Sequence, residues 1–178
     1  MGRNKAALRL GGRSLLAIVR RTASEVGSSV RVIRRDFIKR CGPLGGIHAA
    51  LTTARADAEL FLACDMPFVS AGWLRKIARV HRSGALAVFS CLRGAPSTGS
   101  GRVVGFPCLI SRSLLPEVLG QLATGDRSLH GLAARLDATL LDASPRYEPQ
   151  LFNINTPEDW AHAQRRTPPL VAADVRRL

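Results

Sequence analysis

The chain has 178 residues, of which 46% are hydrophobic and 22% are charged, a composition typical of one soluble globular domain with its own core. Its apolar stretches are all shorter than the roughly 20 residues that a membrane-spanning helix needs, and the N-terminal residues lack a secretory signal, so we expect a cytoplasmic protein that does not contact a membrane. The formal net charge of +13 is carried almost wholly by arginines scattered along the chain, a distribution that does not predict a nucleic-acid partner.

The cysteines and the C-terminal residues bear on domain organisation. The four cysteines are widely spaced and include no Cys-x-x-Cys pair, which argues against a zinc site or a disulfide framework, so we expect buried, reduced thiols. We expect residues 1–165 to form a single domain. Residues 166–178 contain Pro168 and Pro169 and show little hydrophobic periodicity, which predicts a flexible tail.

The first candidate for ligand binding lies at the N-terminus. Lys5 follows Gly2 closely, and a glycine near a lysine suits a loop whose backbone amides and ammonium group contact phosphate oxygens. Residues 13–26 then place apolar side chains opposite arginines, which predicts an amphipathic helix. Residues 29–35 alternate valine with arginine and predict a strand, with Asp36 at its end.

A glycine-rich stretch follows at residues 41–47, and we predict a loop here, with a helix over residues 48–54. Glycines ahead of a helix start let backbone amides approach a ligand at the positive end of the helix dipole. A tight structural turn is the alternative interpretation. The candidate ligand-binding residues of this loop are Gly42, Pro43, Leu44, Gly45 and Gly46.

The sequence ELFLACDMPF at residues 59–68 is an apolar run that ends in a carboxylate and a proline. It predicts a buried strand of a parallel sheet with Asp65 at its carboxyl end. Because ligands bind at that edge of open α/β sheets, Asp65 is well placed to hold a metal ion or a sugar hydroxyl. The alternative is that Asp65 only caps the helix that follows.

The remaining segments alternate helix and strand signals. We predict helices over residues 70–82, 112–122, 129–136 and 157–164, strands over residues 85–90, 103–110 and 138–141, and a flexible loop at residues 94–101. Pro107 lies inside one of these strands and indicates a sheet edge or a bulge. Thr156 followed by Pro157 gives the last helix a strong start.

This alternation predicts an α/β fold, a three-layer α/β/α sandwich with a mostly parallel, Rossmann-like sheet. Its active edge would carry an ammonium, two carboxylates, backbone amides and two side-chain amides. These groups belong to Lys5, Asp36, Asp65, residues 42–46, Asn153 and Asn155. They suit a nucleoside triphosphate held with Mg²⁺ better than acyl or glycosyl transfer, for which we find no nucleophile and base pair.

Four stretches carry a resemblance to a known family. The segments MGRNKAAL, GPLGGIHAAL, LACDMPF and FNINTPEDW occur in this order from end to end, and the chain resembles the molybdenum cofactor guanylyltransferases, which have the nucleotide-diphospho-sugar transferase type of fold. The resemblance implies transfer of GMP from magnesium-bound GTP to molybdopterin, which gives molybdopterin guanine dinucleotide and pyrophosphate. It also implies molybdopterin-handling proteins as further partners.

The resemblance also implies roles for individual residues. Lys5 would contact the triphosphate and act in catalysis with Asp65, which would bind the magnesium ion, and Asp36 would contact the nucleoside. The pterin side would be formed by Gly42, Pro43, Leu44, Gly45, Gly46, Asn153 and Asn155.

Two departures from the family pattern matter. Family members have a strand and a Leu-Ala-Gly-Gly loop ahead of the segment that matches at Met1, so we expect a longer reading frame upstream. Between Glu25 and Asp36 there is one strand signal where the family has two. A cytidylyltransferase or another nucleotidyltransferase of this fold, and a non-catalytic relative that binds a pterin or a partner, remain alternatives. The sequence leaves the oligomeric state and the choice between GTP and CTP open.

Overall fold

The N-terminal part of the chain forms a hairpin and a helix. The computed structural model describes residues 5–27, 29–33, 37, 41–93 and 102–167. After a single 3₁₀ turn, strands β1 (Arg9–Leu10) and β2 (Arg13–Ser14) pair antiparallel through a two-glycine turn, and helix α1 spans Leu15–Ser24. The Ser14 hydroxyl caps α1 by accepting from the Ala17 N–H, which fixes the start of the predicted amphipathic helix.

A four-stranded sheet forms the centre of the molecule. Its strands are β3 (Ala58–Phe61), β4 (Ala87–Leu92), β5 (Arg102–Ser111) and β6 (Thr139–Ala143), in the spatial order β3-β5-β4-β6. Strand β5 runs antiparallel to both neighbours, whereas β4 and β6 are parallel. Three strands therefore share one direction and one opposes them, so the sheet is mixed.

Helices cover both faces of this sheet, as predicted. The remaining helices are α2 (Gly42–Thr52), α3 (Ala71–Arg82), α4 (Leu115–Ala123), α5 (Leu129–Arg135) and α6 (Pro157–Arg166). Phe89 and Ile110 pack with side chains of α2, α4 and α5, and their sequence neighbours Val88 and Leu109 pack with side chains of α3. Because successive strand residues point to opposite faces, these pairs define a three-layer α/β/α arrangement.

Strand β5 lies inside the sheet although it contains a proline. Of the two predicted possibilities, an edge or a bulge, the structure agrees with the bulge, because β5 is an inner strand and its register with β4 shifts between Phe89 and Cys91. Proline has no N–H to donate to the ladder. The buried Ser90 hydroxyl donates to the Pro107 carbonyl at 2.7 Å and accepts from the Trp73 indole N–H at 3.0 Å, which satisfies three buried polar groups at this break.

The predicted strand over residues 29–35 is not found in its described part. Residues 29–33 form no strand, and no strand among the described residues pairs with them. The Arg31 guanidinium instead donates to the Thr53 hydroxyl at 2.8 Å, the Ala50 carbonyl at 3.1 Å and Glu59 Oε1 at 2.7 Å. These bonds hold the segment against the end of α2 and the start of β3.

The predicted glycine-rich loop is helical. Helix α2 begins at Gly42, which has a φ of 55°, and continues through Pro43 in its first turn, where the missing N–H leaves no helical bond unmade. Leu44, Ile47 and Leu51 are fully buried against the sheet. Burial of these three side chains, about 2 kcal/mol each, outweighs the cost of glycines within a helix, about 1 kcal/mol each.

Several other expectations lie outside the described residues. These are Asp36, the predicted loop at residues 94–101 and residues 168–178 of the predicted tail. Within the described ranges, none of the helices is long and apolar enough to cross a bilayer. The four cysteines are all free thiols, and three of them are buried.

Candidate active site

Asp65 lies in a turn beyond the carboxyl end of β3. Its side chain is 20% exposed, and its Oδ1 atom is buried with no hydrogen-bond partner among the residues that the structure describes. Burial raises the pKa of Asp65 above its ordinary value, an effect that its own backbone N–H and the nearby Lys5 ammonium oppose. A half-buried carboxylate with a free oxygen gains strongly from a cation that replaces its lost hydration.

Asp65 does not cap the helix that follows it. Helix α3 is capped by the Ser70 hydroxyl, which accepts from the Trp73 N–H at 3.3 Å. The Asp65 backbone carbonyl accepts from the Ile154 N–H at 2.9 Å, so its main chain is tied to the segment that leads into α6. This arrangement leaves the carboxylate available for a ligand, as the functional interpretation of the sequence requires.

Lys5 approaches Asp65 from the other end of the sequence. Its Nζ atom lies 3.8 Å from Asp65 Oδ2, and it donates hydrogen bonds to the Ile154 carbonyl and to Asn155 Oδ1, each at 3.0 Å. The fold therefore brings three predicted site residues, Lys5, Asp65 and Asn155, to one place. An ammonium next to a carboxylate with a free oxygen can hold a polyanion and a divalent cation together.

The start of helix α6 fixes the Asn155 backbone. Thr156 and Asp159 form a capping box in which the Thr156 hydroxyl accepts from the Asp159 N–H at 3.1 Å and Asp159 Oδ2 accepts from the Thr156 N–H at 2.8 Å. Asp159 Oδ2 also accepts from the Asn155 N–H at 2.9 Å. These N–H donors, that of Asn155 first, lower the pKa of the Asp159 carboxyl.

A wide cleft of about 1750 Å³ opens next to these residues. Its lining includes the immediate neighbours of Lys5 and Asp65, which are Ala6 and Cys64, together with side chains of α1 and β3. Burial and the adjacent Asp65 raise the pKa of the Cys64 thiol, so this thiol stays neutral at pH 7. Four arginines also line the cleft, namely Arg9, Arg20, Arg31 and Arg55. Arg31 is paired with Glu59, which lines the cleft as well, and the excess of positive charge favours an anion.

The predicted pterin-side residues divide into several groups. Gly42, Pro43 and Gly46 line the cleft, so the start of α2 faces it. Leu44 is fully buried in the core and Gly45 is also buried, so neither offers a side chain to a ligand in the cleft. The remaining two, Asn153 and Asn155, are both exposed. Asn155 accepts a hydrogen bond from Lys5.

Two functional contributions were not predicted from the sequence. The Ile154 carbonyl binds Lys5, and a backbone oxygen leaves no signal in a residue type. The sequence indicates Asp159 only as part of a helix start, whereas in the structure its carboxylate also accepts from the N–H of Asn155, the residue just before the capping box.

A magnesium site built on Asp65 is consistent with the described residues. No group of three or more His, Cys, Asp or Glu side chains that could hold a metal is found in that part of the chain. Mg²⁺ is commonly bound by one or two carboxylates together with substrate phosphates and water, and the chemistry of Asp65 Oδ1, which is buried without a partner in the described part of the chain, fits that donor set.

The sheet and its two helical layers define a three-layer α/β protein, with the paired Lys5 and Asp65 beyond the end of β3. The structure matches the molybdopterin-guanine dinucleotide biosynthesis protein A from Archaeoglobus fulgidus with a TM-score of 0.65 and 21% identity, over 93% of this chain and 91% of that one. At this identity the match establishes the fold.

Sequence comparison then gives the family. Residues 1–140 match the family model of the MobA-like NTP transferase domain, and the chain belongs to this family. It is 36% identical to a probable molybdenum cofactor guanylyltransferase from Opitutus terrae, over 93% of this chain and 89% of the relative. It is 29% identical to another, from Peptoclostridium acidaminophilum, over 70% of this chain. The match spans only 58% of the length of that relative.

Proposed function

We propose that the protein transfers GMP from GTP to molybdopterin and releases pyrophosphate, as a molybdenum cofactor guanylyltransferase. The observation that carries the proposal is the Lys5 ammonium held 3.8 Å from a half-buried Asp65 carboxylate whose second oxygen has no partner in the described chain. Membership of the MobA-like family and the names of the relatives support the choice of substrates.

The reaction requires little covalent chemistry from the protein. A phosphate oxygen of molybdopterin attacks the α-phosphorus of GTP, the bond from that phosphorus to the oxygen of the β-phosphate breaks, and pyrophosphate leaves with the electron pair. Charge neutralisation and in-line positioning control such a transfer. This requirement agrees with a site composed of a lysine, a carboxylate and backbone amides.

Lys5 and Asp65 have different roles in neutralising the charge of the triphosphate. The Lys5 ammonium, which uses two donors on Ile154 and Asn155, has a third with which to contact phosphate oxygens. Asp65 would hold Mg²⁺, which when bound neutralises charge on the triphosphate. The raised pKa of Asp65 reflects a carboxylate that has lost water and therefore gains from such an ion.

The two substrates would enter from the cleft. The start of α2, with Gly42 and Gly46 on the cleft wall, offers backbone N–H groups and the positive end of a helix dipole to the phosphate of the pterin. Asn153 is proposed to contribute on the same side. Asp36, which lies outside the described residues, is proposed to contact the nucleoside.

A pyrophosphate-release assay tests the proposal. The chain, and a version extended through any in-frame codons upstream of Met1, would be incubated with Mg²⁺, molybdopterin and either GTP or CTP. We expect pyrophosphate from GTP and formation of the guanine dinucleotide. Faster turnover of CTP would replace the proposal with a cytidylyltransferase, and no release by either version with either nucleotide would favour a non-catalytic binding role.

A further inference from the structure

The segment that leads into α6 holds the Lys5 ammonium with two neutral oxygens. The Ile154 carbonyl and Asn155 Oδ1 each accept from Lys5 at 3.0 Å, whereas Asp65 Oδ2 is farther away at 3.8 Å. We propose that Asn155 is a positioning residue that keeps the ammonium short of direct contact with Asp65, and that Asp159 supports it by fixing the Asn155 backbone. The proposal rests on the proposed function for the role of Lys5.

The distance between Lys5 and Asp65 matters because each charge has its own proposed ligand, the phosphate oxygens for Lys5 and the cation for Asp65. An ammonium and a half-buried carboxylate in direct contact form a short, charge-assisted hydrogen bond. Such a pair would engage the carboxylate of Asp65 that is proposed to hold a cation, and would turn Lys5 away from phosphate oxygens. The two neutral oxygens compete with Asp65 for the Lys5 protons, and so leave both groups ready for ligands.

The backbone around Asn155 is fixed on both sides. Ile154 is fully buried with Leu10 and Leu15, and its N–H donates to the Asp65 carbonyl at 2.9 Å. On the other side, the N–H groups of Asn155 and Thr156 both donate to Asp159 Oδ2, at 2.9 and 2.8 Å. Since the backbone is fixed, the contact with Lys5 can change mainly through rotation of the Asn155 side chain.

This geometry changes the role expected for Asn155. Its Oδ1 atom already accepts from Lys5, so any substrate that bonds this oxygen would share it with the ammonium. Asn155 therefore acts through Lys5, whereas Asn153 keeps the predicted role on the pterin side.

Chemical labelling tests the positioning without any reliance on activity. Lys5 acylation by an amine-reactive ester would be measured by peptide mass spectrometry, with Lys76 in the same molecule as the reference. We expect Asn155→Ala to slow Lys5 acylation at least threefold, because the ammonium then closes onto Asp65, and Asp65→Asn in the same chain to restore the rate. An unchanged or faster rate in Asn155→Ala, or a slow rate that persists with Asp65→Asn, would overturn the proposal.

Variants of the capping box separate positioning from helix stability. Asp159→Ala should slow Lys5 acylation in the same direction, and Asp159→Glu, which keeps an acceptor for the two N–H groups, should recover most of the rate. Glu158→Ala is the matched control, because it removes a carboxylate from the same exposed turn of α6 and should leave the rate unchanged. Equal effects of the Asp159→Ala and Glu158→Ala variants would refute the role of Asp159.

Steady-state kinetics provide the second readout. Asn155→Ala should lower kcat about tenfold at saturating substrates, since misplacing one group by about 1 Å can cost up to a hundredfold in rate. In a protein that already carries Lys5→Met, adding Asn155→Ala should change kcat less than twofold, because Asn155 acts through Lys5. A higher KM for molybdopterin with unchanged kcat would make Asn155 a substrate contact and overturn the proposal. If the protein releases no pyrophosphate from GTP, the proposed function fails while the labelling result still decides the positioning.

Discussion

The Lys5 ammonium and the Asp65 carboxylate lie 3.8 Å apart, close enough to interact and too far for a direct hydrogen bond. They are 60 positions apart in the sequence, and the fold brings them together at the edge of the sheet. The segment at Ile154 and Asn155 binds both, through the Lys5 side chain and the Asp65 backbone. The site therefore depends on three distant parts of the chain.

We expect Asp65→Asn to stabilise the protein at neutral pH. The pKa of Asp65 is raised above its ordinary value of 3.8 by burial, so the folded protein binds this proton more tightly than the unfolded chain does. Stability is then lost as the pH rises from about 3.8 through the raised value, and the variant escapes that loss. Melting temperatures between pH 4 and 8 should show a gain for Asp65→Asn that shrinks toward acid. A gain that does not depend on pH would contradict the burial of the charge.

We expect Lys5→Met to lower kcat/KM for GTP about a hundredfold, because removing one donor to the developing charge of a transition state costs 10²–10³ in rate. Lys76→Met is the matched control, since Lys76 lies over the Tyr147 ring at 4.8 Å and away from Asp65. Initial rates of pyrophosphate release compare the two. Equal losses would show that Lys5 has no specific role.

We expect Ser90→Ala to destabilise the fold by about 2 kcal/mol, because it leaves the Trp73 indole N–H and the Pro107 carbonyl without their shared partner in the core. Ser90 is fully buried. The control is Ser83→Ala at the exposed end of α3, with an expected change within about 0.5 kcal/mol. Urea denaturation measures both free energies of unfolding, and a similar small change in each would rule out the buried hydrogen-bond chain.

We expect Arg31→Ala to speed cleavage of residues 29–33 by proteinase K severalfold, because the Arg31 guanidinium bonds Thr53, Ala50 and Glu59 and ties this segment to α2 and β3. Arg31→Lys keeps the charge but cannot reach three acceptors with a planar fork, so it should give an intermediate rate. The rate of appearance of the first fragment provides the measurement. Indistinguishable rates for all three proteins would contradict this anchoring.

The sequence predicted the α/β class, the positions of most helices and the meeting of Lys5 with Asp65. These predictions rest on local signals, such as Thr156 and Pro157 at the start of α6, and on the rule that ligands gather at the carboxyl ends of strands. That rule singles out Asp65 as a site residue, because it follows directly after a predicted buried strand. The substrates we propose rest on the family resemblance, because the local signals alone do not identify them.

The errors share a physical cause, because tertiary contacts overrode local propensity. The stretch from Gly42 to Gly46 has the composition of a loop, yet burial of Leu44 and Ile47 makes it helical. Residues 29–33 alternate like a strand, but a strand needs a hydrogen-bonded neighbour, and Arg31 anchors them by its side chain instead. Pro107 lies in an inner strand where the register with β4 is broken, and the Ser90 hydroxyl donates to its carbonyl, a partnership that spacing in the sequence does not reveal.

The proposed function requires the Asp65 carboxylate to support magnesium-dependent transfer of GMP. The most direct measurement is the initial rate of pyrophosphate release from GTP and molybdopterin at increasing Mg²⁺, for the unaltered protein, for Asp65→Asn and for Asp57→Asn, which changes an exposed carboxylate just before β3. We predict a loss of at least a hundredfold for Asp65→Asn that added Mg²⁺ does not recover, and less than a twofold change for Asp57→Asn. Full activity of Asp65→Asn at the same Mg²⁺ concentration would contradict this role of Asp65.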